Sequence, residues 1–177
     1  MHKLVQLNHI GEMAYSNKKE YAWVVALAAD CDAAFDAHGK ANAKKCILAR
    51  ASVGDLRQAL QDGDGVIRRK TLQLLSILEP REALEDVSGV LAKDPCPVVR
   101  HEAAFFLGAL RIQEAVDPLC QAMLYDKEDL VRHEAAEALG DLGFKSALSA
   151  LNKATKDASS VVRDTAQLAI LQLEKSS

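Results

Sequence analysis

VVRHEAAFFLGAL at residues 98–110 returns one interval later as LVRHEAAEALGDL at residues 130–142. A phrase repeated at a fixed period marks a stacked-repeat architecture, in which each unit buries its apolar face against its neighbours. Outward from this pair the beat continues. Arg68, Arg100, Arg132 and Arg163 lie 32, 32 and 31 residues apart, each just behind an aliphatic pair and each opening an Ala/Leu-rich segment. Asp62, Asp94, Asp126 and Asp157 keep the same interval, six positions ahead of each arginine. Four units follow, at about 52–78, 82–110, 113–142 and 145–174, each read as helix, turn, helix.

The first helices are expected at 52–61, 82–93, 114–125 and 145–156, and the second helices run from the arginine element to the end of each unit. Ser52 with Asp55 has the spacing of a helix cap. Pro80, Pro95 and Pro97 are placed between helices, where a missing amide donor costs little, and Pro118 in a first turn, also a permitted place. The apolar stripe of the second helix is Val99, Ala103, Phe106, Leu107 and Leu110 in unit two, and Val131, Ala135, Ala138, Leu139 and Leu142 in unit three. Gly108 and Gly140 fall at equivalent places and suit a close helix–helix contact.

Residues 1–51 lack the repeated phrase but still read as helical. Leu4, Leu7 and Ile10 share one face of a short helix. Asn17 and Glu20 fit a capping box ahead of a helix over 18–38, with Tyr21, Val24, Val25, Ala28 and Cys31 on one face and Gly39 as its stop. A second helix over about 41–51 carries Cys46, Ile47 and Ala49. A solenoid leaves an apolar face bare at its end, so these helices are expected to cap the stack.

Composition agrees with close-packed helices: 49% of the chain is hydrophobic and only 5% aromatic. A net charge of −3 argues against a nucleic-acid or anionic-membrane partner, both of which want a basic surface. The four cysteines form no C-x-x-C pair, so reduced thiols are expected. No run approaches the ~18 apolar residues of a membrane helix, and residues 1–15 lack the apolar core of a signal peptide. The expectation is a soluble, cytoplasmic chain. His2, His9 and His38 have no ligand-like companions. Asp62-Gly63-Asp64-Gly65 is a turn without the ligand run of a calcium loop, and Arg68-Arg69-Lys70 is a solvated helix start.

The Asp-then-Arg spacing and the V-V-R-x-x-A-A-x-x-L-G phrase resemble HEAT repeats of the type named after phycocyanobilin lyases, over residues 52–174. The resemblance implies an all-α solenoid, to which the helices of residues 1–51 add the expected N-terminal helical cap. It also implies that Asp62, Arg68, Asp94, Arg100, Asp126, Arg132, Asp157 and Arg163 form a structural hydrogen-bonded ladder, and that the second helices line the concave face. It is specific for fold and nearly silent on activity.

A narrower likeness is to one half of the deoxyhypusine hydroxylases, built of two halves of four such repeats with His-Glu pairs in the second and third repeat of each. Here the pairs are His101-Glu102 and His133-Glu134, while units one and four carry Arg69-Lys70 and Asp164-Thr165 there. Imidazole and carboxylate together suit iron or manganese. That resemblance implies His101, Glu102, His133 and Glu134 as iron ligands, completed only if a homodimer closes two concave faces on each other, for oxygen-dependent hydroxylation of a lysine-derived side chain.

Against this stands a simpler reading of the same residues. The positions after each arginine are expected to face solvent, and His-Glu occurs twice if one repeat was copied from the other. An early-turn glutamate also favours the positive end of a helix. The leading expectation is therefore an interaction module without a cofactor. It binds a protein or peptide on its concave face through Arg69, His101, Phe105, His133, Glu137 and Asp164, with Phe105 as an exposed aromatic beside His101.

Overall fold

The computed structural model describes residues 21–38, 40–78 and 80–175, and among these it is helical with no strand. Ten α-helices follow in order: α1 Ala22–His38, α2 Lys40–Leu48, α3 Val53–Ala59, α4 Gly65–Ile77, α5 Pro80–Lys93, α6 Pro97–Leu110, α7 Val116–Tyr125, α8 Asp129–Leu142, α9 Leu148–Ala154 and α10 Ser160–Lys175. From α3 onward they pair as hairpins, α3/α4, α5/α6, α7/α8 and α9/α10. The second helices α4, α6, α8 and α10 stack in that order to form one layer, and α5, α7 and α9 form the other. The chain is an all-α solenoid.

Packing follows the apolar stripes. Val99, Ala103, Phe106, Leu107 and Leu110 of α6 are buried, as are Val131, Ala135, Ala138, Leu139 and Leu142 of α8. They form one continuous core with Leu72 and Leu75 of α4 and with Ala166, Ala169 and Leu173 of α10. At the other end α1 lies against both α2 and α4, burying Val24, Ala28 and Cys31. Tyr21 and Val25 are only half-buried, and Ala49, expected on a buried helix, is exposed beyond the end of α2. Leu4, Leu7, Ile10, Asn17, Glu20 and Gly39 lie outside the described residues.

Local chemistry sets the helix ends. Ser52 accepts from the Asp55 amide at 3.1 Å while Asp55 accepts from the Ser52 amide at 2.8 Å, the reciprocal cap expected of that pair. Pro80 and Pro97 are not between helices. They are the first residues of α5 and α6, where a fixed φ is an advantage and no amide partner is lost. Gly65 likewise opens α4, with Asp64 as its N-cap accepting from Val66 at 2.8 Å. Units three and four enter their first helices through 3-10 turns, Gln113–Ala115 and Lys145–Ala147. Pro118 is not the cause, since the same lead-in recurs in unit four without a proline.

The second helices of units two and three end alike, with a left-handed residue: Arg111 at φ 55° and Gly143 at φ 78°. A side chain pays for that conformation where glycine does not. Arg111→Gly is expected to stabilise the protein by about 1 kcal/mol, read as a higher midpoint in urea; a lower midpoint would show that the arginine side chain outweighs the strain.

Candidate functional site: the seam of the second helices

The aspartates and arginines of the beat form a ladder along the edge where the intra-unit turns lie. Arg68 donates through Nε and Nη2 to Asp94 at 2.7 and 2.9 Å, Arg100 to Asp126 at 2.7 and 2.8 Å, and Arg132 to Asp157 at 2.8 and 2.9 Å. Nη1 of each turns back to the carbonyl of its own unit's aspartate, Asp62, Asp94 and Asp126. Each aspartate also accepts the amide two residues on, that of Asp64, Cys96, Glu128 or Ser159, which holds the turn. Arg163 makes the backbone half of the rung, to the carbonyls of Asp157 and Ala158, with no carboxylate across from it among the described residues.

Electrostatics match this geometry. Burial alone would raise the Asp126 carboxyl, but hydrogen bonds from Arg100 and the Glu128 amide, with the charges of Arg100 and Arg132, hold it below the usual carboxylate range. Asp157 is held low first by its hydrogen bond from Arg132.

The ladder brings α4, α6, α8 and α10 into register, and Gly108 and Gly140 bring them close. A Cβ at Gly108 would meet the Ala138 Cβ at 2.9 Å, and one at Gly140 would meet the Ala169 Cβ at 3.0 Å. So close a seam changes what the positions after each arginine see. Glu102 and Glu134, expected to face solvent, are only 8% and 9% exposed. His101 and His133 are half-buried. Helix geometry predicts the direction of these side chains, while the distance to the next helix decides their burial.

Their partners lie across the seam, in the neighbouring unit. The Arg69 guanidinium stands 3.9 Å from Glu102, His101 Nε2 is 3.1 Å from Glu134, and His133 Nδ1 is 2.8 Å from the Thr165 hydroxyl. This is a second ladder, in which the first residue after each arginine meets the second residue after the next. Thr165 gives its own proton to the Val161 carbonyl at 2.9 Å, so it accepts from His133 Nδ1–H. His133 Nε2 is left 3.8 Å from Glu137. The signal the sequence carries for Thr165 is its place beside Asp164, two positions past the fourth arginine of the beat.

His101 is pulled two ways. Burial lowers its pKa, but the hydrogen bond to Glu134 and the charges of Glu134 and Glu102 outweigh this and raise it above 6.5. Glu102 is raised, by burial above all. A histidine whose folded pKa is raised adds stability that is full below its unfolded pKa and lost as pH rises through the folded one. Between pH 6 and pH 8 the melting temperature of the wild type is therefore expected to fall further than that of His101→Gln. Equal falls would detach this histidine from Glu134.

Phe105 is not the exposed anchor expected of it. It is half-buried against the core, with its ring edge-on to Phe106 at a centroid distance of 5.3 Å. Arg68, expected in a solvated start, is buried in the ladder, and Arg69 and Lys70 are half-buried. Glu137 is half-buried and Asp164 exposed. Charge changes along the seam: α4 carries Arg68, Arg69 and Lys70 with no acid, α6 has Arg100 and Glu102, α8 sets Asp129, Glu134, Glu137 and Asp141 against Arg132, and α10 balances Arg163 and Lys175 with Asp164 and Glu174.

As a metal centre, one chain supplies little. His101 and Glu134 meet, but Glu102 turns to Arg69 and His133 to Thr165. Among the described residues no three of His, Cys, Asp and Glu gather around one point. The four residues fit a metal only as part of a larger donor set. No described helix is long and apolar enough to cross a membrane.

The profile of the family described as HEAT repeats matches residues 87–171. Human deoxyhypusine hydroxylase, solved in complex with glycerol, superposes with a TM-score of 0.64 at 31% identity over 70% of this chain. The overlap takes in 44% of the hydroxylase, so this chain spans less than half its length. Two engineered proteins superpose with TM-scores of 0.56 and 0.58, at 22% and 20% identity, over 86% of this chain and 72% and 73% of theirs. At that identity they show the fold alone. Among curated proteins, no sequence matches.

Proposed function

From a chain whose residues 87–171 are HEAT repeats within an all-α stack, we propose a scaffold that binds a protein or peptide along the face made by α4, α6, α8 and α10. The observation that carries this reading is the change of charge from α4 to α8 on that face, basic at Arg69 and Lys70 and acidic at Glu137 and Asp141, held in fixed register by the ladder. A preformed array needs little ordering on binding, which favours affinity. Charge complementarity then sets orientation and on-rate. The matching ligand is a segment with acidic residues over α4 and basic residues over α8.

The test is selection from a random peptide display library with the intact chain as bait. Enriched peptides should separate acids from bases along their length, and lose affinity about tenfold to Arg69→Glu or Glu137→Lys, in line with one lost charge pair and one repulsive one. No enrichment, or enrichment blind to both substitutions, would remove the reading.

A second reading is favoured by the His101–Glu134 contact and the 31% identity to the hydroxylase. In it two chains face each other, and His101, Glu102, His133 and Glu134 of each hold a dinuclear iron centre that supplies oxygen-dependent hydroxylation. Anaerobic purification with ferrous iron, followed by metal content and solution mass, decides it. About one iron per chain in a dimer, lost in His101→Ala, supports this reading, and a metal-free chain sinks it.

A further inference from the structure

Each of α4, α6 and α8 has its forward face covered by the next second helix. The residue eight positions past the ladder arginine is small in all three: Ser76, Gly108 and Gly140. In α10 the same position holds Leu171. The contact at Gly140, where even a Cβ would lie 3.0 Å from Ala169, has no counterpart that a leucine permits. With Leu171 there, a helix could not approach α10 as closely as α10 approaches α8. Among the described residues that face is apolar and uncovered: Leu168 is 64% exposed, Leu171 49% and Val161 53%. Asp164 and Lys175 lie on the same face, both exposed. At the other end of the stack α1 lies against α4.

The stripe is complementary to itself. Positions 164, 168, 171 and 175 recur at helical spacing on one side. If two such helices run antiparallel about an axis between positions 169 and 170, position 168 of one meets 171 of the other, and 164 meets 175. Leucine then faces leucine, and each aspartate faces a lysine, twice over by symmetry.

We propose that the outward face of α10 is a homodimer interface, joining two copies of this chain end to end about a two-fold axis. Two-fold pairing of one patch with itself is the commonest form of oligomer. Interdigitated leucines take the place of the glycine contact used within the chain. The surface is a single helix face, at the small end of specific interfaces, so the dimer forms in the micromolar range or weaker. This pairing is separate from the face-to-face dimer that iron binding requires, and it shares Asp164 and one side of α10 with the peptide-binding face.

The full chain, measured by sedimentation equilibrium in metal-free buffer across a range of concentrations, should show a monomer–dimer equilibrium. Leu168→Glu with Leu171→Glu should leave a monomer with an unchanged circular dichroism spectrum and melt, since both side chains are exposed. Asp164→Lys alone and Lys175→Asp alone should each weaken the dimer about tenfold, because two symmetry-related pairs are lost at once. The double swap should restore it. A wild type that stays monomeric, a dimer unmoved by the leucine substitutions, or a double swap that fails to recover would each overturn the proposal.

Discussion

Arg100→Ala is expected to cost about 3–5 kcal/mol, the range for removing one partner of a buried ion pair and stranding the other. The side chains of Arg100 and Asp126 are only 6% and 8% exposed, so water cannot stand in for the lost guanidinium. The substitution also frees the Asp94 carbonyl and loosens two turns together. Arg163→Ala removes only bonds to neutral carbonyls and should cost about 1 kcal/mol. Urea unfolding of both variants gives the comparison, and similar losses would mean that the carboxylate rungs contribute little. Acid should produce the same effect by another route. A carboxyl held low in the folded state contributes stability present above its unfolded pKa and lost as pH falls through the folded value. Asp126 and Asp157 are both held low. The wild type should therefore lose stability steadily below about pH 4, and Arg100→Ala should lose less over that range.

Gly108→Val should destabilise by about 3 kcal/mol, through a clash that the seam cannot relieve. Its first carbon already falls 2.9 Å from the Ala138 Cβ and 3.2 Å from the Ala138 Cα, so α6 and α8 must part. Ala138→Gly in the same chain opens part of that space and should return roughly half of the loss. Gly89 supplies the control: it is helical and exposed, and a Cβ there meets nothing within 4 Å. Gly89→Ala should gain about 1 kcal/mol from helix propensity alone. If Gly108→Val and Gly89→Ala moved the urea midpoint in the same direction, close packing would not be the role of Gly108.

The contrast between these glycines also shows where sequence reasoning reaches and where it stops. The beat of Asp62, Asp94, Asp126 and Asp157 against the arginines was legible, because each rung needs the same two residues at the same offset. The stripes of α6 and α8 were legible from helical periodicity, and the close contact from two glycines at equivalent places. What the periodicity does not carry is separation between helices. Glu102, Glu134 and Phe105 were read as outward-facing from their angle alone, and the narrow seam buried the first two and half-buried the third. Nor does a residue's own helix reveal what meets it: the partnership of His133 with Thr165 spans one repeat, and only stacking supplies it. The proline positions show a smaller version of this limit. Pro80 and Pro97 interrupt the pattern in the sequence, yet each starts a helix.

Because the rungs all lie along the turn edge, resistance to deformation is distributed unevenly. Three bidentate pairs tie successive units there, while the opposite edge is crossed by short connections at residues 111–112 and 143–144. A load that spreads the units meets three desolvated ion pairs on one side and, on the other, the covalent chain and the exposed Arg81–Glu114 pair.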